Sequence, residues 1–444
     1  MVLEGKTGVL TVPTGAVGTT LAVNCGLSEK PAAILLVMIA GRTSAVDAAG
    51  AANWSASLGI GTSDTNRFSV GTSCTNNIAA SDGTKRRTDA QILTVLSGAA
   101  VVGALDLDAV ANWPADGFQL IVDSQFSTAY KVQWFAWAGD EITDAICVQI
   151  EEPVTAADTS YTGLGFTPSD GNGIVILISD VDTTAPANTQ TTRASKLMIG
   201  AATSIAQQAC LSVVDDQGST TPDTDSWCGT GRIAVGMPDT AGTVVDGRGA
   251  FNGWISDGFK INWAEVPGTL TRYYFALVIN GGKWAVGDFA TRTDTTNITT
   301  ESTGLGFTPV MIGPVVSACR AASTDDVPTV DAEISIGGAD SASNRHAQGV
   351  LHENKAAAGD NTEIQTAIEY DALYVNLNAS AAIEGLGDIV SFGADGFTVV
   401  MDDADPVASF VWYVACGNVP AATGIEMFFQ QPLQVPAPWA GVAY

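Results

Sequence analysis

Trp113-Pro-Ala-Asp116-Gly117-Phe118, Trp254-Ile-Ser-Asp257-Gly258-Phe259 and Phe392-Gly-Ala-Asp395-Gly396-Phe397 are three versions of one stretch. Each places an aromatic residue three positions before Asp-Gly and a phenylalanine directly after it. The aspartates are 141 and 138 residues apart. That period is too long for a solenoid and implies three copies of a whole domain. After each Asp-Gly, apolar residues alternate: Phe118, Leu120 and Val122; Phe259, Ile261 and Trp263; Phe397, Val399 and Met401. A period of two predicts a strand with one buried face. Asp-Gly predicts the tight turn before it, with glycine accepting positive φ and aspartate hydrogen-bonding to nearby backbone.

Other landmarks recur in the same order. A Gly-Leu turn ends in proline at Gly26 to Pro31, Gly163 to Pro168 and Gly304 to Pro309, where a residue without an N–H suits a strand entry. Apolar runs follow at Ala33 to Ile39, Ile174 to Ile178 and Ile312 to Ser317, the pattern of a strand buried on both faces. Next come the pairs Ile60-Gly61, Ile199-Gly200 and Ile336-Gly337, each closing a short strand. After the Asp-Gly-Phe motif comes an aromatic strand: Trp134-Phe135-Ala136-Trp137, Tyr274-Phe275-Ala276-Leu277 and Tyr413-Val414-Ala415-Cys416. The loop between motif strand and aromatic strand predicts a hairpin. Thr362 to Tyr370 is a candidate short helix.

Dense strands with Gly, Pro and Asp turns, and no alternating helices, predict an all-β chain. The expected architecture is three tandem, internally repeated antiparallel β-sandwich (jelly-roll-like) domains at 1–150, 151–292 and 293–430. An extended proline-rich tail follows at 431–444. Triplication allows either a linear row or a pseudo-threefold arrangement. The 444-residue length fits about three domains.

The chain carries 47 acidic against 19 basic residues, a formal net charge of −28. This argues against nucleic acid and against an anionic membrane surface as partners. The amino terminus lacks the pattern of a secretory signal, and the longest apolar run is too short to span a bilayer. Seven cysteines, an odd number without metal-site spacing, predict reduced thiols and assembly in a cytoplasm. Cys74 and Cys228, in polar surroundings, are expected to be the more reactive.

No catalytic motif stands out. His346 and His352 are six residues apart, with no histidine in the first two copies, so structural roles outweigh zinc. Acidic clusters (Asp180 and Asp182, Asp215 and Asp216, Asp223 and Asp225, Asp325 and Asp326, Asp402, Asp403 and Asp405) offer hard oxygens that make calcium the one cation worth testing. They also leave room for glycosidase chemistry. Lys85-Arg86-Arg87, the only basic run, reads as a solvated loop, with docking onto an acidic neighbouring subunit as the alternative, and Trp439 is a further candidate for partner contact. Trp113, Trp134 and Trp254 read as core, and Trp54 and Trp227 as surface contacts. The repeated motif residues (Trp113, Asp116, Gly117, Phe118; Trp254, Asp257, Gly258, Phe259; Phe392, Asp395, Gly396, Phe397) read as structural, with no catalytic or cofactor role.

The order Gly-Phe-x-Pro, apolar strand, Asp-Gly-Phe, then Tyr/Trp-x-Ala resembles a module that recurs in bacteriophage virion proteins. Residues 163–168 with 257–259 and 273–277, and 304–309 with 395–397 and 412–416, carry it best. The resemblance implies a non-enzymatic, surface-exposed, oligomeric component of a tailed-phage particle: a capsid decoration, collar or tail protein. Its partners would be itself, as a homo-oligomer for which a trimer is one option, and other virion proteins. The alternatives are a host-glycan adhesin or tail fibre and, ranked below, a polysaccharide depolymerase. The recurring alanine of the aromatic strand marks a close approach between layers. Ala276→Phe should therefore destabilise the protein by about 1–3 kcal/mol, read as a lowered thermal midpoint.

Overall fold

Among the described residues, thirty-three antiparallel strands fall into six sheets, and the order of the first eleven strands recurs twice along the chain. The computed structural model describes residues 2–418 apart from 44–45, 52, 99, 182–189, 193, 217, 219, 239–243, 269–270, 296–298, 302–303, 324–326, 356–360, 379 and 381. The tail expected at 431–444, with Trp439, lies outside the described residues, as do Asp182, Asp325 and Asp326. Among the described residues there is no α-helix.

In the first repeat, β1 (Glu4–Thr11), β3 (Ala33–Met38), β5 (Trp54–Ser63), β6 (Asn66–Cys74), β7 (Thr84–Thr88) and β11 (Lys131–Ala138) share one sheet. A second sheet holds β2 (Thr20–Asn24), β8 (Leu93–Ser97), β9 (Ala100–Leu107) and β10 (Gly117–Ser124). The remaining strand, β4 (Val46–Ala51), pairs elsewhere.

The second repeat follows suit, with β12 (Ile142–Glu151), β14 (Gly173–Ser179), β16 (Ser195–Ser204), β17 (Gln207–Asp215), β18 (Thr224–Thr230) and β22 (Tyr273–Gly281). Its smaller sheet is β13 (Ala157–Thr162), β19 (Ala234–Gly236), β20 (Gly247–Ile255) and β21 (Gly258–Glu265), and its odd strand is β15 (Gln190–Thr192). The third repeat has β23 (Lys283–Ala290), β25 (Pro309–Ser317), β27 (Ala332–Ser341), β28 (Asn344–Glu353), β29 (Glu363–Glu369) and β33 (Phe410–Gly417). Its smaller sheet is β24 (Thr299–Glu301), β30 (Tyr374–Leu377), β31 (Ile383–Gly393) and β32 (Gly396–Asp403), and its odd strand is β26 (Thr329–Val330).

The odd strands join the repeats. β15 of repeat two pairs with β7 of repeat one, β26 of repeat three with β18 of repeat two, and β4 of repeat one with β29 of repeat three. Each large sheet thereby gains a seventh strand from a neighbour, and the exchange closes into a ring. A linear row would leave one such edge open, with unpaired N–H and C=O groups. Pairing also assigns β12 and β23 to the second and third large sheets. Strand pairing therefore divides the chain upstream of the expected limits at 150 and 292.

The apolar runs are buried on both faces, as their pattern predicts. In β3, Ile34, Leu36 and Met38 join a cluster with Leu93, Leu105, Phe118 and Leu120 of the small sheet. Ala33, Leu35 and Val37 face the opposite way, into a cluster with Ile176 of repeat two and Val316 of repeat three. Each large sheet thus separates an outer core of its own repeat from one core shared by all three.

The motif strands β10, β21 and β32 begin at the motif glycine, and Phe118, Phe259 and Phe397 are buried. Two details differ from expectation. In repeat two, Asp257 rather than Gly258 takes positive φ, at 61°. Gly258 is needed for space, because a Cβ there would lie 2.0 Å from the Tyr161 carbonyl oxygen. Asp257 also caps the upstream Gly-Leu turn, accepting hydrogen bonds from Gly163 N (3.1 Å) and Gly165 N (2.5 Å). Asp395 does the same for Gly304 N (3.0 Å) and Gly306 N (2.5 Å). The two sequence landmarks are therefore halves of one interaction. Repeat one lacks the second glycine, and its Ser28 N–H donates to Glu4 instead.

Three further expectations are corrected. The motif strand and the aromatic strand are not a hairpin: β10 lies in the small sheet and β11 in the large one. Both carry alternating apolar residues because they line the same core from opposite sides. The segment 362–370 holds strand β29 in place of a helix, because its backbone completes a ladder with β28 and β4. The partner of Gly200 and Gly337 in repeat one is Gly59, not Gly61. Gly59, Gly200 and Gly337 lie opposite Leu36, Leu177 and Val315 in the ladder. A Cβ at these positions would meet the carbonyl oxygens of Ile92, Ile233 and Leu373 at 1.6, 2.0 and 2.0 Å. Backbone carbonyls cannot yield as a flexible side chain can. Gly200→Ala should cost about 3 kcal/mol, measured as a shift of the urea midpoint.

Candidate functional site

The glycine register fixes which residues correspond in the next strand over. Gly59, Gly200 and Gly337 pair with Ser69, Cys210 and Ala347. Five residues further along β6, β17 and β28 stand Cys74, Asp215 and His352. These equivalent positions are 141 and 137 residues apart, within one residue of the motif's period. One ligand-type atom from each lies within 4.8 Å of the others. Equivalent positions of three repeats meet in this way only around a pseudo-threefold axis, so the trio marks the centre of the ring.

All three side chains are buried: 1% exposed for Cys74 and 0% for Asp215 and His352. His352 Nδ1 is 3.6 Å from Asp215 Oδ2, and the Cys74 thiol lies beside the same carboxylate. Neither oxygen of Asp215, neither ring nitrogen of His352 nor the indole N–H of Trp54 makes a well-formed hydrogen bond. Trp54 pairs with Cys74 in the ladder and packs edge-on to His352 at 6.3 Å between ring centroids. Burial holds the Asp215 carboxyl well above the usual carboxylate range and the Cys74 thiol well above its own. Burial, then the charge of Lys355, pulls His352 down to about 3. Unpartnered polar atoms in such a place cost roughly 1–3 kcal/mol each.

Hydrogen bonds between repeats collar the trio. Ser195 Oγ donates to Ser73 O at 2.7 Å, Thr224 Oγ1 to His352 O at 2.8 Å, and Thr362 Oγ1 to Thr75 O at 2.8 Å. These bonds join repeat two to one, two to three, and three to one. A cavity of about 210 Å³, lined by Trp54, Ser73, Cys74, Ser97 and Tyr130 among others, reaches Cys74 from the side of repeat one.

Several expected contact residues lie elsewhere than predicted. Trp54 and Trp227 are each 1% exposed, so neither is available for surface contact. All seven cysteines are unpaired and buried. Burial raises Cys74 and Cys228, the latter to about 12, which opposes the reactivity expected of them. Lys85-Arg86-Arg87 is part of strand β7, with Lys85 and Arg87 buried. Arg87 does meet an acidic neighbour, but within the chain: its Nε is 3.0 Å from Asp180 Oδ1 of repeat two, and its guanidinium lies 5.2 Å from the centre of the Tyr273 ring.

His346 pairs with Asn344 and packs edge-on to Tyr370, apart from the central trio. The acidic clusters are divided between buried and more exposed positions. Asp215 points into the core, while Asp216 accepts from Ser81 Oγ at 3.0 Å. Asp405 is buried and bonded by Tyr374 and Asn376, whereas Asp402 and Asp403 are exposed. Of the motif aromatics, Trp113 is buried, and Trp254 and Phe392 pack against the outer cores of their repeats.

Sequence reasoning missed the trio because it sought ligands close together within one copy. The signal was available in the alignment of the copies, where three different chemically active residues occupy one repeat position. Removing one member of the buried Arg87–Asp180 pair should be costly. Arg87→Met is expected to destabilise by about 3–5 kcal/mol, with partial recovery when Asp180→Asn is added, followed by chemical denaturation. Comparison with protein-family models finds no match to this chain, and comparison with curated proteins finds no match either.

Proposed function

We propose that this chain is a non-enzymatic structural component of a tailed-bacteriophage particle, exposed on its surface and working in contact with other virion proteins. In this reading the three repeats are jelly-roll-like β-sandwich modules, each formed by a large sheet facing a small one. The observation that carries the proposal is the ring of donated strands, β15 to β7, β26 to β18 and β4 to β29. One chain then presents three related outer faces around an axis, which suits a lattice position with three similar neighbours. The phage-like motifs support the same reading, since they supply the turns and strands of every repeat.

The glycan-adhesin reading gains no surface contact from Trp54 and Trp227, which are buried. For the depolymerase reading, the relevant feature is a cavity of about 320 Å³ in repeat three lined by Asp331, Glu333 and Glu384. There Arg320 already holds Asp331 at 2.7 Å and Glu333 at 3.3 Å. Electron microscopy of particles labelled against this chain tests the proposal. Label spread over the head supports a capsid decoration, and label at one vertex supports a collar or tail protein. Particles carrying no label, or release of reducing sugar from host capsule that Glu333→Gln abolishes, would overturn it.

A further inference from the structure

Three properties of the central trio need a common cause. The residues are chemically unlike, although they occupy equivalent positions in repeats that share their core-forming pattern. They bring a thiol, a carboxyl and an imidazole within 4.8 Å of one another in an apolar core. The carboxylate and imidazole also lack the hydrogen bonds that buried polar groups normally make. Neighbours such as Leu197, Ile199 and Val213 show that the surrounding core is filled with aliphatic side chains. Three aliphatic residues would serve packing alone, and replacing buried ionisable groups by such residues is often neutral or stabilising.

We propose that Cys74, Asp215 and His352 bind one divalent transition-metal ion of the zinc class on the pseudo-threefold axis, each repeat supplying one ligand. The donor set selects this chemistry: thiolate and imidazole suit zinc and its first-row neighbours, whereas calcium and magnesium take oxygen ligands. Size agrees as well. Bond lengths of about 2.0–2.3 Å place tetrahedral ligand atoms roughly 3.3–3.8 Å apart; His352 Nδ1 and Asp215 Oδ2 are 3.6 Å apart, and the three ligand atoms, within 4.8 Å of one another, draw together on coordination.

Charge closes the argument. One dication with one thiolate, one carboxylate and one neutral imidazole sums to zero, the arrangement an apolar interior tolerates best. Coordination displaces the thiol proton and the carboxyl proton to solvent and changes no oxidation state. Three protein ligands leave a fourth position for water. Because the ligands come from three repeats, the ion binds only the closed ring and acts as a staple at its centre.

The full chain is refolded from denaturant with Co²⁺, and separately with Zn²⁺, so that burial of the site does not bar entry. The expected result is one ion retained per chain after dialysis. Thiolate-to-cobalt charge-transfer and tetrahedral ligand-field absorption should appear, and the melting temperature should rise by at least about 3 °C relative to metal-free protein. Cys74→Ala should abolish the charge-transfer band, and Asp215→Asn and His352→Gln should each weaken retention at least tenfold. The combined variant Cys74→Val, Asp215→Leu, His352→Leu should remain folded, retain no metal and melt at the same temperature with or without zinc. Refolded protein that retains no metal would overturn the proposal. So would metal retained equally by the combined variant, or cobalt bound without the thiolate band.

Discussion

The seventh strand of each large sheet, supplied by the neighbouring repeat, is the constraint on which the rest of the molecule depends. A sheet edge carries a row of unsatisfied donors and acceptors, and a protein must cover it, blunt it or pair it. Here β15, β26 and β4 pair it across the repeat boundary. Once three repeats do this in rotation, their large sheets are held face to face around an axis, and a second apolar surface is needed on each. The both-faced burial of β3, β14 and β25 follows from this closure. Side-chain bridges reinforce it: Gln348 of repeat three accepts from Ile39 N and Ala40 N and donates to Val37 O in repeat one.

Within each repeat a second constraint sets the spacing of the layers. The backbone entering the small sheet crosses the large one at Gly59, Gly200 and Gly337, so close that no side chain fits between. In repeats one and three a serine two positions earlier anchors the same crossing, with Ser57 Oγ and Ser335 Oγ accepting from Thr94 N and Val375 N. The glycine crossings are backbone-to-backbone contacts, and the serines add side-chain-to-backbone bonds. They tolerate the divergence of loop sequence between copies while holding the core geometry constant.

The legible part of the sequence was the part governed by local periodicity. Triplication, the all-β class, the strand after each Asp-Gly and the two-faced burial of the apolar runs could all be read from residue spacing. What could not be read came from contacts between repeats. Lys85-Arg86-Arg87 has the composition of a solvated loop, yet Arg87 is buried because its carboxylate partner lies in the next repeat. Trp54 and Cys74 sit among small polar residues, which face ladders and neighbours here instead of solvent. Asp215 looks like one acid in a cluster until packing between repeats brings it beside Cys74 and His352. Composition describes a segment's own preference, and in this ring each segment's surroundings are mostly supplied by another copy.

The path of the chain is itself nearly circular. Leu3 N donates to Asn418 Oδ1 at 2.5 Å, bringing the start of β1 beside the end of β33. The turn at Gly139 likewise leads from β11 into β12, and the one at Gly281-Gly282 leads from β22 into β23. The order of the repeats along the polypeptide is therefore only a convention of where the ring is cut. A circularly permuted gene, opened between β11 and β12 with residues 418 and 3 joined by a short linker, would keep the strand pairings of the described residues except at the new cut. The molecule belongs to the small class of architectures whose topology is cyclic while the polypeptide is linear.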